Sequence, residues 1–283
     1  MKAYSSEFSV ERMACVLGVS RSGYYTWLRR SPSERRRQQQ LFDLEVKAAA
    51  EAGKGYYGRV RIQDELALRG RNASHRRIVA SMKRQGITSK TKKQFKVTTN
   101  SKHTEPVAPN LLDRKFGVGS PNQVWVSDIT YLPSQTGWLY LTVFIDLFSR
   151  MVVGWYVSTS LSHEGVLKAF YQAIWRRRPP AGLLVHSDRG VQYACEAFRS
   201  ALAAQACIQS MSRKGNCWDN AVSESFFATL KNEWLSETCL YDRDHAEHEL
   251  FDHIERFYNG QRIHTTIHMA PNEFEARKLV KCA

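Results

Sequence analysis

Hydrophobic and polar positions change period along this chain, and the changes mark its elements. From residue 124 the pattern alternates: Val124, Val126, Asp128 and Thr130 fall on one side and Trp125, Ser127 and Ile129 on the other. A period of two in a run rich in β-branched and aromatic residues predicts a strand, with Asp128 in its middle and facing out of the sheet. Gly182–His186 is a short, continuous apolar run, the signature of a strand covered on both faces, and it ends at Ser187-Asp188-Arg189-Gly190. Asp188 is therefore expected at the carboxyl end of a strand, where α/β sheets place their ligands. Further on, Val222, Phe226, Leu230 and Trp234 recur at helical spacing. They predict a helix over 221–235, with Asp219 and Asn220 as N-cap residue types and Glu224 about one turn in.

Helical periodicity also fills the N-terminal half, in two hairpin patterns. Over Ser9–Arg30, Met13, Val16 and Leu17 form an apolar stripe, Gly18-Val19 makes a turn, and Ser20 can cap a second helix carrying Tyr24, Trp27 and Leu28. Over Arg59–Ile87, Ile62, Leu66 and Leu68 mark one helix. Gly70–Ala73 turns the chain, and Ser74 caps a second helix with Ile78, Val79 and Met82 that stops at Gly86. Arg76, Arg77, Lys83 and Arg84 line the exposed side of that helix. Both patterns are helix-turn-helix candidates, although helical hairpins without DNA contacts are also common. Ser31–Arg37 reads as a linker or helix start. Lys90–Pro109, poor in apolar periodicity and rich in Lys, Thr, Ser and Asn, reads as a linker or DNA-tracking arm.

Asp128, Asp188 and Glu224 form a set with a defined spacing. Thirty-five residues separate the last two, and Lys231 follows Glu224 by seven, two helical turns along the same face. Carboxylates from different elements suit divalent ions that prefer oxygen ligands. Two such ions about 4 Å apart can activate a water or a DNA 3′-hydroxyl and stabilise the departing oxygen of a phosphodiester. Taken singly, an aspartate in or after a strand is usually a hydrogen-bonded turn residue, and Lys231 could be a solvated helix-face lysine; the combination carries the reading. His186 is a candidate to orient Asp188, with a satisfied core histidine as the alternative.

The triad, the HSDRG–QY and GN–DNA–ES–F–LK strings and the tail FYNGQRIH–AP–EF resemble the second-frame (OrfB-type) transposases of the IS-three family of insertion sequences, relatives of retroviral integrases. The resemblance runs from about residue 7 to residue 276 and is dense from 121 onward. It implies an α/β fold: a ribonuclease-H-like catalytic core, a mixed sheet flanked by helices, preceded by small all-α helix-turn-helix-like domains. It further implies Asp128, Asp188 and Glu224 as catalytic ligands of Mg²⁺, with Mn²⁺ as a substitute, and Lys231 as a contact to transposon-end DNA. Tyr258-Asn259, Arg262 and His264 also match; Arg262 is taken as a nucleic-acid contact, with no role derived for the string. The expected division is a helix-turn-helix-like segment over 1–40, a basic helical domain over 41–100, a linker over 101–115 and, over 116–283, an integrase catalytic core with a C-terminal helical extension.

Charge points the same way. Of a net +14, residues 1–120 hold 25 Lys/Arg against 10 Asp/Glu, whereas residues 121–283 hold 16 against 17. A basic N-terminal half is the footprint of phosphate contacts, set against the alternatives of a solubilising face or a membrane-surface patch. The six cysteines show no C-x-x-C and no disulfide-like spacing, and no segment reads as a signal peptide, so a reduced cytoplasm is expected; the resemblance implies a bacterial one, with the chain at the nucleoid. His245 and His248 lack partners at zinc-finger spacing. No apolar run is long enough to span a bilayer.

These readings converge on metal-dependent cleavage at transposon ends followed by attack of the freed 3′-hydroxyl on a second phosphodiester. The resemblance adds that the first transfer can join one end to the other as a circular intermediate. Two alternatives stand beside it: a structure-selective ribonuclease-H-like nuclease that cuts without joining, and a non-catalytic, transposase-derived DNA-binding regulator. The expected partners are double-stranded DNA, further copies of the chain on that DNA, and the product of an upstream (OrfA-type) frame joined by frameshifting. The last is what the resemblance implies, and the absence of a heptad run that could pair chains agrees with it.

Overall fold

The computed structural model describes residues 1–90, 106–213 and 217–280. The chain divides into two units, residues 1–45 and 46–283.

In the first unit, α1 (Val10–Val16) and α2 (Arg21–Arg29) form the first expected hairpin, each opened by a serine: Ser9 Oγ accepts from the Arg12 amide and Ser20 Oγ from the Gly23 amide. The predicted apolar stripe does not close into a core. Of α1 and α2 only Ala14 is buried, whereas Val16 is 80% exposed and Leu17 and Trp27 each 59%. Two helices of seven and nine residues have too little facing surface to cover those side chains. Helix α3 (Glu34–Ala52) begins inside the expected linker Ser31–Arg37 and runs across the boundary between the units.

The second unit opens with the second hairpin, α4 (Arg59–Leu68) and α5 (His75–Gln85), placed as the periodicity predicts. Ser74 caps α5 through the Arg77 amide, and Gly86 ends it at φ 65°, the left-handed conformation that glycine adopts without steric cost. Ile62, Leu66 and Ile78 are buried between the helices, but Val79 is 44% exposed.

Five strands follow: β1 (Val124–Ser134), β2 (Gly137–Asp146), β3 (Val152–Ser158), β4 (Leu184–Ser187) and β5 (Ile208–Met211). Their order is β3-β2-β1-β4-β5, with β1, β2 and β3 an antiparallel meander and β4 and β5 added parallel to β1. Helices cover both faces. On one, Trp125, Phe144 and Val185 pack with α6 (His163–Arg177), α7 (Val191–Ala194) and α8 (Glu196–Ala204), around Phe170 and Phe198. On the other, Val126, Leu141 and Val143 pack with α9 (Ala221–Leu230) and α10 (Arg243–Phe251) through Phe226, Leu230 and Leu250. Helix α9 continues into a π-helical turn, Lys231–Leu235, and α10 into another, Asp252–Tyr258; α11 (Pro271–Val280) ends the described chain.

By its contacts the stretch 46–90 groups in one unit with the core, held by a set of buried polar contacts described below. Within the expected linker 101–115, residues 101–105 lie outside the described residues, but 106–115 are tied down. Leu112 is buried, the Leu111 amide donates to Ser210 Oγ, and the Met211 amide donates to the Pro109 carbonyl. Cys15, Cys195, Cys207 and Cys239 are free thiols, while Cys282 and the side chain of Cys217 lie outside the description. Among the described residues no helix is long and apolar enough to cross a membrane.

Gly154 on β3 lies close against α6: a Cβ there would collide with the Ala169 carbonyl oxygen and lie 2.7 Å from Ala173 Cβ. Because the obstacle is backbone, Gly154→Ala is expected to destabilise the protein by about 1–3 kcal/mol. A urea midpoint indistinguishable from wild type would contradict this packing.

Candidate active site

The register of β1 against β4 pairs Val124 with Leu184, Trp125 with Val185 and Val126 with His186. Side chains alternate across a strand. Asp128 lies two residues beyond Val126, and Asp188 two beyond His186, just past the end of β4. They therefore stand side by side on the face that carries Val126, which is also the face α9 covers. Each aspartate is oriented by a main-chain amide: Asp128 Oδ1 accepts from Ile129 N at 2.8 Å, and Asp188 Oδ1 from Gly190 N at 2.9 Å. Glu224, in the first turn of α9, adds its charge to the same neighbourhood. Burial, then Asp188, then Glu224 push the Asp128 carboxyl well above the usual carboxylate range, with Lys231 pulling the other way. The Glu224 carboxyl is also raised, by desolvation. Such a cluster of hard oxygen donors with excess negative charge suits a divalent cation. Among the described residues, however, no three Asp, Glu, His or Cys side chains converge tightly enough to hold one ion together.

Buried polar groups lie on both faces of the sheet around the carboxylates. On the far face the Ser127 and Tyr193 hydroxyls share a hydrogen bond of 2.8 Å, and burial together with the charges of Asp128 and Asp188 pushes the Tyr193 hydroxyl well above its ordinary range. Asn220 Nδ2 donates to the Ser127 carbonyl oxygen at 3.3 Å. His186, on the face of the carboxylates, does not orient Asp188: Ser210 takes its Nδ1 at 2.9 Å and Ser212 its Nε2 at 3.1 Å, leaving no ring nitrogen for a carboxylate. Burial holds the imidazole down at about 4, so it is neutral at physiological pH. Lys231 begins the π-turn; partial burial lowers its ammonium, while Asp128 favours the charged form.

Comparison with known proteins gives this site its setting. Residues 119–217 and 205–271 each match an integrase core domain family, and residues 36–95 match an HTH-like domain family. The chain is 39% identical to the transposase InsF of insertion sequence IS3A from Escherichia coli K12, over 99% of its own length and 98% of the relative's. The chain belongs to the IS3 family of transposases. It is also 42% identical, over 94% of its length and 98% of the relative's, to an uncharacterised 31 kDa protein of insertion element IS600 from Shigella sonnei. The magnesium complex of the HTLV-2 integrase catalytic core is 18% identical over 55% of this chain and 97% of that one, with a TM-score of 0.44. The transposase is thus a polynucleotidyl transferase whose integrase core is ribonuclease-H-like, with an HTH-like helical region before it. The HTH-like match spans α4 and α5 and begins after α1 and α2.

One residue of the transposase's site departs from its expected role. Asp219 does not cap α9; its fully buried carboxylate accepts from Asn110 Nδ2, Arg114 Nε and the Arg213 amide, each at 2.9 Å, and from Arg213 Nε at 3.1 Å. It thereby ties residues 110–114 and Arg213 to the start of the helix that carries Glu224. Burial alone would raise this carboxyl, but the donors from Arg213 and Arg114 more than reverse that and hold it well below the usual range.

The remaining expected site residues separate into two groups. Arg76, Arg77, Lys83 and Arg84 are exposed on α5, as the periodicity predicts. Arg262 is not at the surface, and its reading as a nucleic-acid contact is corrected. It is 2% exposed, and its Nε and Nη2 are bound to Glu233 at 2.6 and 2.7 Å, so the guanidinium faces the interior and not the surface. Its neighbours in the motif are structural too. The Asn259 amide pairs with both backbone groups of Val152 on the edge strand, and Tyr258 packs edge-on against Phe226.

A carboxyl held low contributes stability that is complete above its unfolded value, about 3.9, and is lost as pH falls toward the folded value. The transposase is therefore expected to lose stability below about pH 4 through Asp219, and Asp219→Asn, less stable at neutral pH, to show a shallower loss over that window. Parallel stability–pH curves for the two proteins in denaturant titrations would count against the anchoring role.

Proposed function

We propose that Asp128, Asp188 and Glu224 are the catalytic carboxylates of this transposase and that they hold Mg²⁺, with Mn²⁺ able to take its place. The observation that supports this is the placement of the two aspartates on one face of adjacent parallel strands, with the charge of Glu224 pressing on them from α9. What a bound divalent ion supplies there is neutralisation of the charge that builds on the phosphorus centre and on the departing oxygen.

The protein's own groups do the positioning. Lys231, beside Asp128, is suited to hold a phosphate of the transposon end next to the carboxylates. The exposed cations of α5 are suited to the phosphate backbone of double-stranded DNA further away. In the first step a water oxygen attacks phosphorus at the element end, the bond to the 3′ oxygen breaks, and that oxygen leaves with a proton as a 3′-hydroxyl. In the second, the 3′-hydroxyl oxygen attacks another phosphodiester, loses its proton, and displaces the 3′ oxygen of the attacked strand. Two short hairpins give little sequence reading on their own. End recognition is accordingly assigned to several copies of the chain on DNA, fused through frameshifting to an upstream-frame product, within the bacterial cytoplasm.

Asp188→Asn removes one ligand charge at nearly constant volume. It is expected to lower both cleavage and strand transfer by at least about 10³-fold while leaving DNA affinity in place. Near-normal Mg²⁺-dependent joining by this variant would sink the assignment.

Replacing Arg76, Arg77, Lys83 and Arg84 together by alanine is expected to weaken DNA binding and to flatten its salt dependence, by about 0.9 in the log–log slope for each phosphate no longer neutralised. A wild-type slope, measured by anisotropy titrations across a salt series, would move the binding surface elsewhere.

A further inference from the structure

The motif around Arg262 finds its partner in α4. Arg262 donates two hydrogen bonds to Glu233, and Arg61 Nη1 of α4 donates a third, at 3.0 Å, to the same carboxylate. Both guanidiniums and the carboxylate are largely covered: the side-chain exposures are 19% for Arg61, 8% for Glu233 and 2% for Arg262. Around this triad the hairpin is fastened at further points. The buried Tyr57 hydroxyl accepts from the Ile263 amide at 2.8 Å, the Lys54 ammonium lies 4.5 Å above the Phe257 ring, and Asp64 meets His268 Nδ1 at 3.2 Å. Each contact joins the segment before β1 to the π-turns and tail that follow α9.

The place of Glu233 gives the triad its interest. It lies nine residues after Glu224 and two after Lys231 on one continuous helical rod. Lys231 comes about two α-helical turns after Glu224 and shares its side, and the two further residues of the π-turn carry the buried Glu233 well round from that side. One face of the rod therefore borders the carboxylates and the other receives α4. A stability role does not account for the arrangement, because a buried ion pair contributes little net stability, its desolvation cost offsetting its attraction. The two-pronged contact from Arg262 fixes the Glu233 carboxylate in distance and angle, and Arg61 of α4 meets the carboxylate so oriented through one largely buried, charge-assisted hydrogen bond.

We propose that the Arg61–Glu233–Arg262 triad is a positioning device that sets which phosphodiester of a DNA held by α5 meets the active site. It does so by locking the α4–α5 hairpin to the back of the helix that carries Glu224 and Lys231. The proposal rests on the reading that α5 holds DNA. Arg61 and Glu233 touch neither substrate nor metal in this scheme; they act through the rod.

The test compares Arg61→Met, which keeps the aliphatic stem and leaves Glu233 paired with Arg262, with Arg61→Lys, which restores a charge. The substrate is an end-labelled duplex bearing the element's own terminal repeat and flanking DNA, with Mg²⁺. The enzyme is the chain alone or its upstream-frame fusion, whichever cuts that duplex in the wild type. Arg61→Met is expected to bind within about twofold of wild type, since every phosphate-facing charge is kept. It should cut at least about tenfold more slowly per bound complex, and at several neighbouring phosphodiesters instead of one. Hydrogen exchange at the Ile263 amide should rise in parallel, and Arg61→Lys should recover the single cut. Cutting by Arg61→Met at the wild-type phosphodiester and rate would overturn the proposal. If Arg61→Met does not fold at the assay temperature, the near-isosteric Glu233→Gln is judged by the same two outcomes. Failure of the α5 reading would appear separately, as an unchanged salt slope in the alanine variant of α5, and would remove the premise; a wild-type cut by Arg61→Met leaves that reading standing.

Discussion

The parallel pairing of β1 with β4 is the constraint on which the rest of the site depends. Two like charges on adjacent strands repel, and a chain free to choose would separate them. Here Trp125 and Val185 are both buried on the opposite face, and a slip of one residue would turn them toward α9 and the aspartates toward α6. The apolar side of the sheet thus holds the acidic side in a geometry that electrostatics disfavours. Burial first, and the charges of Asp188 and Glu224 after it, raise the Asp128 carboxyl.

Around this fixed pair, the third carboxylate arrives from a helix whose own placement is secured twice. Phe226 and Leu230 bury one side of α9 against the sheet, and Asp219 clamps the approach to its first turn. Apolar burial supplies most of the holding strength and is indifferent to direction. The hydrogen-bonded carboxylates, Asp219 before the helix and Glu233 after it, supply direction. Asp128 and Asp188 are set by the strands, and the orientation of the helix that carries Glu224 by Asp219 and Glu233, which stand outside the proposed site.

How much of this could be read from the chain follows from the range of each interaction. Alternation around Asp128, the apolar run before Asp188 and the helical spacing around Glu224 are local patterns, and strand and helix appear where those patterns put them. Asp146 shows why aspartates at strand ends need company to be interpreted: it too ends an apolar strand, yet its oxygens accept from the Asn122 and Phe148 amides and it serves a turn. Arg262 and Asp219 escape a local reading for the same physical reason. Arg262 meets Glu233 well outside its own motif, and that carboxylate is shared with Arg61, while Asn110 and Arg114 reach Asp219 from more than 100 positions away; no local period encodes such meetings. The first hairpin exposes the opposite failure, a stripe with the right spacing but too little surface opposite it to bury Val16 and Trp27.

The Tyr57 hydroxyl, buried against the Ile263 amide, carries a consequence for how such enzymes are dissected and inherited. Sequence families draw an integrase core that begins near residue 119 and an HTH-like module that ends near residue 95, as if the two could be exchanged like cassettes. A core cut free at that border would leave a main-chain N–H without its acceptor and Glu233 with a single guanidinium. The stretch that recombination could shuffle is therefore not the stretch that folds. A change in the helical module must be answered in the segment beyond residue 230, so these two stretches are expected to drift together.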